Sequence, residues 1–163
     1  MASGSGLAIL ATLPGRQVLG QTAGGHNCTP SGFASVNLNL SDRPTGFCGG
    51  RAPAEWFNVL NAEDPQVTGT QTFASVFGSV PGGPYADDAT VADILLSGNA
   101  DNTVEFAAAY LSAEQGLVTI TVSEVVGLYT AFINGLGYDT GSGLVLGASQ
   151  IIPFLQGLYT SDI

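Results

Sequence analysis

Glycine and proline divide the chain beyond residue 51 into short stretches, and this division most strongly limits the possible folds. Breaks fall at 81–84 (PGGP), Gly98, Gly116 and 135–143. Between them, apolar residues recur three and four positions apart, which predicts amphipathic helices no longer than about a dozen residues. We predict helices over 52–62, 70–77, 88–96, 102–113, 123–133 and 148–159.

Two of these helices have aspartate where an N-cap is expected. We predict that Asp88 and Asp101 are the N-cap residues of the helices that follow them. Residues 117–121 fit two interpretations. They are either a short strand or the residues that lead into a helix starting with a capping box at 121–124 (TVSE).

The segment before the helices has a different pattern. Residues 33–40 alternate between apolar and polar, which predicts a half-buried strand. A single strand needs a hydrogen-bonding partner, either in a small sheet or on another chain. We therefore name Phe33, Val36, Leu38 and Leu40 as candidate assembly residues.

Two cysteines, Cys28 and Cys48, flank this predicted strand at a separation of 20 residues. In an exported protein such a pair predicts a disulfide, which would stabilise the fold by about 3 kcal/mol. A metal site is the alternative, but the chain has one histidine, His26, and no CxxC motif. We predict no metal and no cofactor.

Residues 1–20 are signal-like. A short apolar stretch at 7–13 is followed by small residues before Gln21, but no basic residue precedes Arg16. We interpret the segment as an export signal, its basic start lying upstream of the given sequence. If it is retained instead, it must be buried in the fold or against a neighbour.

The predicted fold class is therefore mainly α. We expect a signal-like segment at 1–20, an extended segment with the cysteine pair at 21–51, and a compact helical domain at 52–163. A minor β component completes the fold.

The charge balance excludes several partners. The chain has 13 acidic residues, three arginines and no lysine, for a net charge of −10. Nucleic acids and anionic membranes require a basic surface, so neither is an expected partner. Beyond the N-terminus no apolar run reaches the roughly 18 residues of a membrane span.

Candidate catalytic motifs are weak. Residues 139–142 (DTGS) match the aspartic protease signature once, but only 20 residues follow Gly143, and the flanks are predicted helices. Acidic residues around 87–93 and 99–105 lack the glycine and final glutamate of a calcium loop. Two carboxylates could support a small secreted hydrolase, but the sequence does not identify the pair. We assign no catalytic residue, and the sequence favours a non-catalytic protein.

One group of proteins resembles this chain. Cys28, the strand-like segment, 48–50 (CGG), 55–57 (EWF) and 73–78 (FASVFG) occur here in the order found in small exported, largely uncharacterised bacterial proteins. Those proteins have a Gly-Tyr-Trp-Lys-Asn-His motif after a cysteine-glycine stretch. Only the tryptophan and asparagine match here, as Trp56 and Asn58. The resemblance covers roughly 28–132. It implies export and a disulfide, and it assigns no activity.

Scarcity of charge leads to a functional hypothesis. Surfaces of well-behaved small domains are about 25–35% charged, whereas this chain is 10% charged overall. Small uncharged residues must therefore cover much of its surface. Lysine side chains, which commonly prevent unwanted association, are absent from the chain. We expect an extracellular structural protein that self-associates into a filament or surface layer. The alternatives are a monomeric secreted binding module and the small hydrolase.

Overall fold

The computed structural model describes residues 28–35, 48–62 and 69–159, and it confirms the mainly α fold class. No helix within these ranges is long and apolar enough to cross a bilayer. The elements are α1 (Pro30–Ser35), α2 (Pro53–Asn61), α3 (Phe73–Phe77), α4 (Val91–Leu96), α5 (Asn102–Glu114), α6 (Val122–Ile133), β1 (Tyr138–Asp139), β2 (Val145–Leu146) and α7 (Ala148–Gly157).

Helix α5 is the centre of the core. Eight of its thirteen residues are buried, and α2, α4, α6 and α7 all pack against it. Its Phe106 ring lies edge-on to Tyr129 of α6, with centroids 5.0 Å apart, and 5.4 Å from the ring of Phe132. Three consecutive alanines, 107–109, are fully buried. Their small side chains allow neighbouring helices to pack closely around α5.

A polar contact fixes α2 on this central helix. The Trp56 side chain is fully buried, and its indole Nε1 donates to the Ala108 carbonyl at 3.2 Å and to Ser112 Oγ at 3.1 Å. Ser112 Oγ also accepts from the Arg51 backbone N–H at 3.2 Å. A buried serine is stable here because it accepts two hydrogen bonds.

Side chains cap the helices as the sequence predicts, with one exception. Asp101 caps α5, and the predicted capping box at 121–124 is present, because Thr121 and Glu124 bond each other's backbone N–H. The prediction for Asp88 is wrong, because Thr90 caps α4 in a box with Asp93. The hydrogen bonds from Thr90 lower the pKa of Asp93 below its ordinary value.

The prediction of a strand beginning at Phe33 is also wrong, because Pro30–Ser35 is helix α1. Thr29 begins this helix, since its Oγ1 accepts the Gly32 N–H at 3.1 Å. Pro30 follows at a first-turn position that needs no N–H donor. These two helix-start features outweigh the alternation. The rest of the predicted strand, 36–40, lies outside the described residues.

The predicted disulfide is confirmed. Cys28 and Cys48 are bonded, with their Cα atoms 5.5 Å apart, and both are buried. Thr119 Oγ1 donates to the Cys28 carbonyl at 3.1 Å, which links the disulfide to the loop before α6. Next to Cys48, Gly49 has φ +87°, and a Cβ there would overlap the Leu117 carbonyl. Only glycine fits this position.

The minor β component is a two-stranded antiparallel ribbon. Tyr138 pairs with Leu146, and Asp139 pairs with Val145. The predicted loop at 135–143 therefore contains β1, and the DTGS motif forms the ribbon turn. There Asp139 Oδ1 accepts the Gly141 N–H at 2.9 Å.

The Ser112 contact yields a stability prediction. Ser112→Ala removes the acceptor of the Arg51 N–H and one of the two acceptors of the Trp56 indole. We expect the free energy of unfolding to fall by about 1–3 kcal/mol in urea denaturation. Ser123→Ala, at an exposed site on α6, is the matched control and should change it by less than about 0.5 kcal/mol. Equal effects of the two substitutions would contradict the role given to Ser112.

Candidate functional site

A groove of about 500 Å³ lies at the amino end of α5. We call it the α5 groove. Three stretches distant in sequence form it: the start of α2, the end of α4 with the loop that follows, and the first turn of α5. Its lining residues are Ala52, Pro53, Ala54, Phe57, Asn58, Leu95, Gly98, Asn99, Ala100, Asp101, Val104 and Glu105.

Asp101 lines the groove, but both of its carboxylate oxygens already accept hydrogen bonds from this chain. Its Oδ1 accepts the backbone N–H groups of Thr103 and Val104, at 2.8 and 3.2 Å. Its Oδ2 accepts the Tyr85 hydroxyl at 2.8 Å. Partial burial, and secondly this hydrogen bond, raise the pKa of Tyr85. Because both oxygens are engaged, Asp101 is poorly placed to transfer protons.

Glu105, one turn further along α5, is only partly engaged. Its Oε1 accepts from Gln156 Nε2 at 3.1 Å. Its Oε2 is buried and has no hydrogen-bond partner among the described residues. The Glu105 backbone carbonyl accepts the Tyr159 hydroxyl at 2.9 Å. Burial, and secondly the Glu105 charge, hold the pKa of Tyr159 well above its ordinary value of 10.0, so this hydroxyl stays protonated.

A second, smaller groove of about 290 Å³ adjoins the first at Asp101. It separates the start of α5 from the end of α6, and Gly82 and Gly83 of the PGGP turn form its rim. Its remaining lining residues are Asn102, Thr103, Tyr129, Phe132 and Ile133.

The other distinctive feature is an exposed apolar surface at the end of α6 and in the ribbon. Ile133 and Leu144 are 50% and 39% exposed, and Leu136 and Val145 are each 61% exposed. These four residues form what we call the apolar tip. Val145 lies directly against Gly137, where a Cβ would overlap its Cγ1. Val145 of the ribbon thus packs against the backbone that directly follows Leu136.

Of the four predicted assembly residues, Phe33 lies within the described ranges. Phe33 is 7% exposed, and its ring packs edge-on against Phe154 of α7, with centroids 5.3 Å apart. Its side chain belongs to the core of this chain and is not free to pair with a neighbour. Val36, Leu38 and Leu40 lie outside the described residues, as do His26 and the signal-like segment.

Two of the acidic residues considered for calcium have other roles. Asp101 is an N-cap, and Asp93 belongs to the capping box of α4. Across the described ranges, no group of three or more His, Cys, Asp or Glu side chains is arranged to hold a metal ion.

Sequence analysis missed both the α5 groove and the apolar tip. The groove could not be found from local patterns, because its walls come from 52–58, 95–101 and 104–105. The tip had one visible sign, which is that large apolar residues occur inside a glycine-rich stretch expected to be a solvated loop.

Comparisons with family models, with curated proteins and with solved structures found no match to this chain. The resemblance to small exported bacterial proteins therefore stays a prediction. The site has to be interpreted from its own geometry.

The N-cap role of Asp101 can be tested by comparing its substitution with that of Asp88, which the sequence wrongly predicted to be an N-cap. Asp101→Ala should lower the free energy of unfolding by about 1–2 kcal/mol, because two backbone N–H groups and the Tyr85 hydroxyl lose their acceptor. Asp88→Ala, at an exposed position, should leave it within about 0.5 kcal/mol of wild type. Thermal or urea denaturation measures both. A larger loss for Asp88→Ala would contradict the assignment of the caps.

Proposed function

We propose that this chain is an exported, disulfide-stabilised structural subunit that self-associates, and that the apolar tip is its contact surface. The observation that carries the proposal is the exposure of four large aliphatic side chains within thirteen residues, 133–145. Single exposed apolar residues are ordinary, but several within one short stretch of chain favour an interaction surface.

The charge distribution supports a second copy as the partner. Two copies that each carry a net charge of −10 repel one another over most of their surfaces. Residues 133–147 contain a single charged side chain, Asp139. The tip is thus a surface through which two such chains can meet without burying several like charges. Added salt screens the remaining repulsion and should strengthen association.

The ribbon supplies backbone groups for the same contact. In the part of the chain that the structure describes, the ribbon has two strands, with α1 packed beside β2 and α6 beside β1. The strand edges that these helices leave uncovered are the ones proposed to take part in the contact. Exposed strand edges offer N–H and C=O groups to another chain. A contact between identical ribbon edges closes into a dimer, whereas a contact between the tip and a different surface propagates into a polymer.

An export destination agrees with the disulfide. Disulfides persist in oxidising compartments and are rare in the cytosol. The buried pair Cys28–Cys48 joins α1 to the core, and it stabilises the subunit without adding charge. We therefore place the proposed assembly outside the cell or on its surface.

A matched pair of leucines tests the proposed contact. Leu144 in the tip and Leu96 at the end of α4 have nearly equal exposure, 39% and 37%. Leu144→Glu should shift the association midpoint, measured by sedimentation velocity over a concentration series, at least tenfold upward, because it places a charged side chain in an apolar contact. Leu96→Glu adds the same charge elsewhere and should shift it by less than threefold. Electron microscopy of the pelleted wild-type protein would distinguish filaments or sheets from closed oligomers.

Two results would contradict the proposal. One is a wild-type protein that sediments at 16.5 kDa across the whole series. The other is an equal effect of the two substitutions. Circular dichroism of both variants verifies that the helices are intact.

A further inference from the structure

The α5 groove has the chemistry of a binding site for a positively charged ligand. Its lining carries two carboxylates, on Asp101 and Glu105, and no arginine, lysine or histidine. Its other groups are amides, from Asn58 and Asn99, and a largely apolar wall. An anionic ligand would meet the negative charge of both carboxylates there, so the groove favours a cation over a phosphate or a carboxylate.

The Glu105 carboxylate indicates which chemical group a ligand of the groove would carry. Its Oε2 is buried without a hydrogen-bond partner among the described residues, which is a costly state for a carboxylate oxygen. Glu105 itself lines the groove and is only half-buried as a residue. A hydrogen-bond donor that carries a positive charge would satisfy both the oxygen and the charge.

The described part of the chain does not supply that cation. Its single basic residue is Arg51, whose guanidinium lies over the Trp56 ring at 5.0 Å from the centroid. Arg51 is not among the residues that line the groove. Within the described residues, no basic side chain neutralises the carboxylates of the groove.

The apolar wall sets the shape of the ligand. Phe57, Leu95 and Val104 face the same space as the carboxylates. A volume of about 500 Å³ lies within the range of small-molecule sites. We infer that the α5 groove binds a small organic cation, in which an ammonium or guanidinium group bonds Glu105 and an alkyl or aryl body packs against the apolar wall.

Three probes of nearly equal size test this inference: 2-phenylethylammonium, the neutral 2-phenylethanol and the anionic 3-phenylpropanoate. Ligand-observed saturation-transfer NMR on the full chain measures their affinities. We expect the ammonium to bind at least tenfold more tightly than the alcohol, and the carboxylate not to bind. The method detects binding to monomers and assemblies alike, so its result does not depend on whether the chain self-associates.

A matched pair of glutamates assigns the charge. Glu105→Gln keeps an acceptor for Gln156 and should weaken ammonium binding about tenfold, while binding of the alcohol stays unchanged. Glu114→Gln is the control, because Glu114 has the same unpartnered buried Oε2 and a Tyr110 hydrogen bond, but lies outside the groove. It should leave binding of all three probes unchanged.

The outcomes that overturn the inference are distinct. If the alcohol binds as tightly as the ammonium, the groove is a plain apolar site. If Glu114→Gln weakens binding as much as Glu105→Gln, the effect arises from the total charge of the chain and not from the groove.

Discussion

The structure depends on satisfying carboxylates in a chain that has almost no cations. In most proteins many acidic side chains are paired with lysine or arginine, but here the described residues include only Arg51. The acids instead accept hydrogen bonds from backbone N–H groups, hydroxyls and an amide. Those that do so are Glu55, Asp93, Asp101, Glu105, Glu114, Glu124 and Asp139.

This constraint places negative charge at helix amino ends. Glu55, Asp93, Asp101 and Glu124 all lie at the starts of helices, where free N–H groups and the helix dipole stabilise a carboxylate. The arrangement gives these acids hydrogen-bond donors, and it caps the amino ends of four helices. It also leaves the carboxyl end of α6 and the ribbon nearly free of charge. The apolar tip is found in that charge-poor region, which connects the composition of the chain to the proposed self-association.

The sequence predicted the central helix well because both of its ends are marked. Asp101 begins α5, and Gly116 lies just beyond its end, so the prediction of 102–113 falls within one residue of Asn102–Glu114. The strand prediction is wrong at 33–35 because two local patterns compete there. The alternation over 33–40 fits a strand, but Thr29 and Pro30 start a helix immediately before it. The α5 groove could not be predicted, because its lining depends on how three separate segments pack.

Amide hydrogen exchange of the wild-type protein at low and high concentration tests the central claim most directly, because it locates the self-association contact without altering any residue. Our account predicts that exchange slows with rising concentration in the segment 133–146, while the helix Pro53–Asn61 exchanges at the same rate throughout. Protection that appears in another part of the chain and leaves 133–146 unchanged would contradict the assignment of the apolar tip. Exchange that is independent of concentration everywhere would contradict self-association itself.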